Sequence, residues 1–241
     1  MAILAPGFRS PATGGLARTR GAPVELNAFI QRTFSCSAGV AEAIAARAQL
    51  RDYRPRAAIL RQGEPCTSTF LLVLGTARAM LVTADGRLVQ LCGYGPGDLF
   101  GALNAAAGAA QVAEVAAIDQ VQAAVFRGTD FLALLESHPC VGLTLSRALV
   151  RQLGQLTAQM TARTTLSASG RVHAELLRLA DAQGGSRISP PPVLSELALR
   201  VQSTRETVSR TIGALERRGI IRRDSKALTI VARARLQDMV V

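Results

Sequence analysis

The 241-residue sequence predicts an α+β chain: an antiparallel β-roll of the double-stranded jelly-roll type, then one long helix, then a small helical domain that ends in a two-stranded hairpin. Three observations carry this reading. From Arg51 to Phe126, short strand-like stretches alternate with turn signals. After Phe131 the apolar period becomes that of a helix, and no proline interrupts the chain between Pro139 and Pro190. From Leu194 onward, two short helical segments are followed by two short apolar runs around a polar turn.

Composition bounds the possibilities. With 49% apolar residues the chain can bury real cores. No uncharged apolar run reaches the roughly 18 residues of a spanning helix, so no membrane partner is expected. Residues 1–24 carry Arg9, Arg18 and Arg20 among Pro, Gly, Ser and Thr, without the apolar block of a secretory signal, and are expected to be a flexible extension of a cytoplasmic protein. The formal net charge is +11, and Lys226 is the one lysine among the cations. Polyanions fit that charge, but so does an arginine-favouring codon bias, so the distribution of charge has to decide. Cys36, Cys66, Cys92 and Cys140 show no paired spacing, and His138 and His173 are isolated. Neither a metal site nor another cofactor is expected, and the thiols read as small apolar residues.

The roll is read from Ala58–Arg61, Thr69–Leu74, Ala77–Val82, Leu88–Leu91 and Val121–Phe126, separated by Gly63-Glu64-Pro65, Asp85-Gly86 and Gly95-Pro96-Gly97-Asp98. Asp85-Gly86 marks a hairpin, because the reversal needs a positive φ that Gly supplies without strain. His138-Pro139 opens the long helix, since proline is tolerated in a first turn. Within it Leu149, Leu153, Leu156 and Met160 recur at spacings of four, three and four, the seam of a two-stranded coil and hence of a homodimer. The alternative is a helix packed on its own domain. A further helix, Arg171–Ala182, ends at Gln183-Gly184-Gly185. The expected division is an extension over 1–24, a roll over 25–133, a dimerisation helix over 134–167 and a C-terminal domain over 168–241.

That last domain carries the function. Leu194–Val201 is one short helix, Gln202-Ser203-Thr204 a tight turn and Arg205–Arg218 a second helix before Gly219, which together define a helix-turn-helix. Ser203 and Glu206 have the spacing of a capping box. On the second helix Val208, Ile212 and Leu215 share one face, while Arg205, Glu206, Ser209, Arg210 and Gly213 share an arc of about 140°. Arg can donate twice to guanine and Glu can accept from cytosine, so these residue types suit major-groove readout. Ile220–Ile230 reads as two strands around a polar turn, a wing. Residues 168–241 hold 13 Lys or Arg against 7 Asp or Glu, so basic charge concentrates where phosphate contacts require it.

From about residue 30 onward the chain resembles the Crp/Fnr regulators. Ser203-Thr204-Arg205-Glu206-Thr207-Val208-Ser209-Arg210 looks like that family's recognition-helix signature, and Leu215-Glu216-Arg217-Arg218-Gly219-Ile220-Ile221 looks like its exit. The resemblance implies a cyclic-nucleotide-binding-type roll, a dimerisation helix and a winged helix-turn-helix. It implies DNA contacts at Ser203, Thr204, Arg205, Glu206, Ser209 and Arg210, and a half-site with G·C pairs. Gln202 stands where many members have a turn glycine, which predicts either strain of order 1 kcal/mol or a slightly different path for the turn.

Gly95–Gly101 resembles the entry to the family's phosphate cassette. Cyclic-AMP-binding members then place a glutamate and, about ten residues on, an arginine. Here the corresponding stretch is Gly101, Ala102 and Leu103, followed by Gln111 and Val112. Loss of the arginine removes a charge-assisted contact worth roughly 1.5–3 kcal/mol, or about tenfold to hundredfold in affinity. Cyclic AMP is therefore not expected to act through the usual contacts.

The reading is a non-enzymatic, sequence-specific regulator whose partners are double-stranded DNA and a second copy of itself, with RNA polymerase as a further partner the resemblance leaves open. A sensor or interaction module whose basic domain binds a protein is the alternative; it gives no reason for Arg205, Glu206 and Arg210 to share one arc beside a wing. No catalytic residue is assigned. Gly93-x-Gly95-x-Gly97 sits at a turn rather than at the start of a helix in a βαβ unit, and no nucleophile-base arrangement accompanies it.

Overall fold

The computed structural model describes residues 23–83, 86, 88–102 and 109–240. Two short helices that the sequence reading did not assign, α1 (Pro23–Phe34) and α2 (Ala38–Ala45), precede the first strand. Their apolar side chains Ile30, Phe34, Ala41 and Ile44 are buried. Ser37 caps α2 by accepting from the Val40 amide at 3.4 Å.

The roll comprises β1 (Gln49–Tyr53), β2 (Ala58–Leu60), β3 (Ser68–Leu74), β4 (Ala77–Val82), β5 (Leu88–Tyr94), β6 (Leu99–Phe100), β7 (Glu114–Ala117) and β8 (Val121–Arg127). Two antiparallel four-stranded sheets run β1-β8-β3-β6 and β2-β7-β4-β5. Pairing first with last, second with seventh, third with sixth and fourth with fifth is the pattern of one long hairpin folded over on itself, a jelly roll. The five expected strands are present with small shifts at their ends. β1, β6 and β7 are additions: two of them are very short, and β1 carries charge on a half-buried surface. Val82 faces Leu88 across the β4–β5 hairpin and Gly86 holds φ at +78°, as the reversal demands. Asp85, the other half of that turn signal, lies outside the described residues.

β3 and β8 are buried on both faces, which is why β3 reads as a continuous apolar run rather than an alternating one. Phe70, Leu72, Ala123 and Val125 fill the space between the sheets. Leu71, Ala124 and Phe126 face the other way and pack with Ile30, Phe34 and the helices that follow the roll.

Those helices are α3 (Gly128–Ser137) and α4 (Pro139–Thr165). Pro139 opens α4 as expected, and its 27 residues run about 40 Å. The C-terminal domain follows as α5 (Ala168–Ala182), β9 (Arg187–Ile188), α6 (Leu194–Arg200), α7 (Arg205–Arg217), β10 (Ile221–Arg223), β11 (Leu228–Ile230) and α8 (Arg233–Asp238). Its own core joins Val172 and Leu176 of α5 to Leu197, Val208, Ile212 and Leu215. β9 adds a third strand to the wing, pairing Ile188 with Leu228. His173 fastens the chain's end, its Nδ1 lying 2.9 Å from the Met239 carbonyl oxygen.

Phe131 of α3 is buried against Phe126 of β8, ring centroids 5.8 Å apart, and so joins the helices to the roll. Phe131→Ala should lower stability by about 3–5 kcal/mol, read as a reduced guanidinium midpoint, because the cavity it leaves is walled by both layers.

Candidate nucleic-acid interface and internal cavity

α6 ends in a Schellman arrangement. The Ser203 amide donates to Ala198 O at 2.9 Å and the Gln202 amide to Leu199 O at 3.3 Å, with Gln202 left-handed at φ +50°. The turn thus adopts the conformation a glycine would hold without strain, and the expected cost of order 1 kcal/mol applies to Gln202. The same bonds correct the expected cap. Ser203 belongs to the exit of α6, so Thr204 caps α7, its Oγ1 accepting from the Thr207 amide at 3.1 Å. Ser203–Glu206 is not the capping pair.

From that cap α7 presents two faces. Val208, Thr211, Ile212 and Leu215 are buried in the domain core, while Arg205, Glu206, Ser209 and Arg210 are exposed. Thr204 is exposed beside them and Ser203 is half-buried. Past Gly219, β10 and β11 pair from Ile221–Ile230 to Arg223–Leu228, the expected wing. The Asp224 carboxylate shapes its tip by accepting from the Lys226 and Ala227 amides at 2.7 and 2.8 Å. Those two amides hold the Asp224 carboxyl below the usual carboxylate range. Glu216 of α7 pairs with Arg223 of β10 at 3.3 Å, fixing the wing to the helix. Arg217, Arg218, Arg222 and Lys226 are exposed around it, so the basic side chains lie beside the exposed arc.

The junction between α4 and this domain turns on Arg171, which the sequence reading did not single out. Its Nη1 donates to the Leu166 carbonyl, at the exit of α4, at 3.1 Å, and its Nε to the Val201 carbonyl, at the end of α6, at 2.9 Å. One guanidinium therefore joins the long helix to the turn before α7.

On α4 the four seam residues divide between two faces. Leu149 and Leu156, with Leu145 and Gln152, line a cavity against the roll, and Leu156 is at the same time 41% exposed. Leu153 and Met160 are 66% and 69% exposed and fall in register with Leu143 and Val150, at 52% and 71%. Leu143, Val150, Leu153 and Met160 occupy the a and d places of one heptad frame, and Leu149 and Leu156 the adjoining g places. Neighbouring stripes on a helix share the same four-three spacing, so spacing alone merges them.

The cavity has a volume of about 240 Å3. Gly101, Ala102, Gln111 and Val112 all line it, whereas Leu103 lies outside the described residues. Gly101 is required there: its φ is +78°, and a Cβ would come within 2.6 Å of Ser68 O. The sequence reading missed Cys92, Tyr94 and Gln152, which also border it. The Tyr94 hydroxyl faces the Cys92 thiol and the Gln152 amide, and burial pushes both the hydroxyl and the thiol up, so each stays protonated. Arg151–Asp98 at 3.6 Å and Gln159 Nε2 to Leu91 O at 3.2 Å tie α4 to the roll at this level.

Cys66 is buried, its Sγ 3.2 Å from Ser68 O, and Cys36 and Cys140 pack on the helix–roll core. Among the described residues no group of three or more His, Cys, Asp or Glu could hold a metal ion, and no helix is long and apolar enough to cross a membrane.

Two family models match the chain. Residues 50–138 match the family model of the cyclic nucleotide-binding domain, and residues 170–239 that of the Crp-like helix-turn-helix domain. The chain is 32% identical to the transcriptional activatory protein AadR of Rhodopseudomonas palustris over 175 residues, 70% of this chain and 72% of that protein. It is 27% identical to the cyclic AMP receptor protein of Thermus thermophilus over 195 residues, 79% of this chain and 88% of that one. FixK2 from Bradyrhizobium japonicum shares the fold, with a TM-score of 0.68 at 22% identity over 80% of this chain and 98% of its own.

The wing tip gives a pH test. A carboxyl whose folded pKa is depressed stabilises the fold above its unfolded value, near 3.9, and that contribution disappears as pH falls through the lower folded value. Hydrogen-exchange protection of the Lys226 and Ala227 amides should hold steady from pH 7 to 5. Asp224→Ala should remove it at neutral pH.

Proposed function

The chain belongs to the Crp/Fnr family of transcription regulators, and we propose that it acts as a homodimer on a near-palindromic DNA site without answering to cyclic AMP through that family's usual contacts. The observation that carries the reading is the exposed arc of Arg205, Glu206, Ser209 and Arg210, set by a capped helix whose opposite face is buried and flanked by a basic wing. Arg205 and Arg210 have the donor pairs for guanine, Glu206 the acceptor for cytosine, and Ser209 serves either. Ser203 and Thr204, where the helix meets the turn, would approach the phosphate backbone.

The exposed stripe of Leu143, Val150, Leu153 and Met160 supports pairing of two copies through α4. A two-fold axis there would present two recognition helices to successive major grooves, with half-sites about one helical turn apart. Ala102 and Gln111 support the altered effector contacts, since neither can replace the carboxylate or the guanidinium of a cyclic-AMP site.

Two measurements test this. On a duplex selected from a random pool, at fixed salt, Arg210→Ala should cost about 1–3 kcal/mol by fluorescence anisotropy while leaving affinity for a random duplex nearly unchanged. Cyclic AMP should not alter the wild-type affinity; equal losses on both duplexes would remove Arg210 from readout. In sedimentation velocity, Leu153→Glu should convert the dimer to monomer, whereas Leu145→Ala, on the cavity face, should leave it paired.

A further inference from the structure

Resting on the reading of the cavity as this regulator's effector site, we propose that its ligand is an uncharged, largely apolar molecule of about ten non-hydrogen atoms, with one polar group that meets Tyr94 and Gln152.

Size is the first ground. A cavity of roughly 150 Å3 accommodates benzene, so one of about 240 Å3 takes a ring system about half as large again.

Charge is the second. The cavity is bordered by Leu91, Leu99, Phe100, Val115, Leu145 and Leu149, and no ionisable cation is among its described lining residues. Nor does the segment from Leu99 to Ala113 supply one, since it holds no Asp, Glu, Lys, Arg or His. The charge that reaches Tyr94 and Cys92 includes that of the Asp98 carboxylate, which also engages the Arg151 guanidinium at 3.6 Å. An anion moved here would lose its hydration and gain no charged donor in exchange.

Shape and polarity are the third. Phe100 stacks on Phe70 at 5.1 Å and tilts against Tyr94 at 4.8 Å, giving one wall an aromatic surface. Ala79, Ala102 and Ala113 keep the floor open. Against these apolar surfaces stand the protonated Tyr94 hydroxyl, a donor, and the Gln152 amide, which both donates and accepts. A ligand touching Gln152 also touches α4, on the stripe next to its exposed heptad face.

The chain contains no tryptophan, so the emission of a bound indole can be followed directly. Indole and 2-naphthol, both neutral aromatic molecules with one polar hydrogen, would be titrated into the full-length protein, with binding of the selected duplex recorded in the same samples. Saturable binding with blue-shifted emission is expected for at least one of them. Gln152→Leu, at a half-exposed helix position, should weaken it three- to tenfold, Ala79→Leu should abolish it, and cyclic AMP should not displace the probe. Absence of saturable binding by both probes, binding indifferent to both substitutions, or displacement by cyclic AMP would overturn the ligand class. If the duplex binds normally in those samples, the regulator reading stands while the ligand class falls; loss of duplex binding by the unliganded wild type would instead overturn the regulator reading.

Discussion

α4 has to satisfy two neighbours with one amphipathic cylinder, and the rest of the molecule is arranged around that constraint. Its inner stripe, from Leu145 to Leu156, closes the side of the roll, while the next stripe round, from Leu143 to Met160, stays bare of its own chain. A helix surface offers only about 100° per apolar stripe, so two stripes side by side leave little room for anything else on that half of the cylinder. The outer half is accordingly polar, with Arg147 and Gln155 exposed. Whatever shifts the inner stripe also shifts its neighbour, because the two share one rigid backbone. A cavity beside one stripe is for that reason mechanically close to whatever covers the other.

The far end of α4 passes this placement on through few contacts. Arg171 bonds both the exit of α4 and the end of α6, and α6 also packs directly against β5 of the roll. Around that joint the charges are ordered by role. Glu175 pairs with Arg178 and Arg200, Asp181 with Arg233, and Glu216 with Arg223, so several of the domain's acids are engaged in holding its elements together. Arg205, Arg210, Arg218 and Arg222 remain exposed on the side where α7 and the wing meet. Such exposed ion pairs contribute little to stability individually, but they leave an excess of unneutralised cations on one surface.

Much of this was legible in the residues because local signals agreed with the tertiary outcome. The amphipathic pattern of α7, the proline that opens α4 and the Gly86 hairpin each follow from one residue's conformational preference or from a period of apolar positions. What escaped notice depends on contacts made elsewhere. Ser203 looks like a cap until Gln202 turns left-handed and gives the Ser203 amide to α6. β6 and β7 are held by pairing partners rather than by alternation of their own. Tyr94 and Gln152 are far apart in the chain, and no periodicity joins a strand residue to a helix residue across a cavity. Leu149 and Leu156 carry the spacing of a seam and also border the cavity, a second role that a four-three rhythm does not report.

The nested pairing of the roll also sets an order in time. β1 finds β8, at the other end of the domain, in the register Gln49 to Val125, so the outermost ladder cannot close until the whole segment between them has been synthesised. Contacts of such long sequence separation make for slow folding, whereas the helices and short hairpin of the C-terminal domain are assembled from near neighbours and close quickly. On the ribosome the half made first would therefore wait longest, its strands unpaired and exposed. In this chain the burden of avoiding aggregation during synthesis falls on the roll rather than on the C-terminal domain.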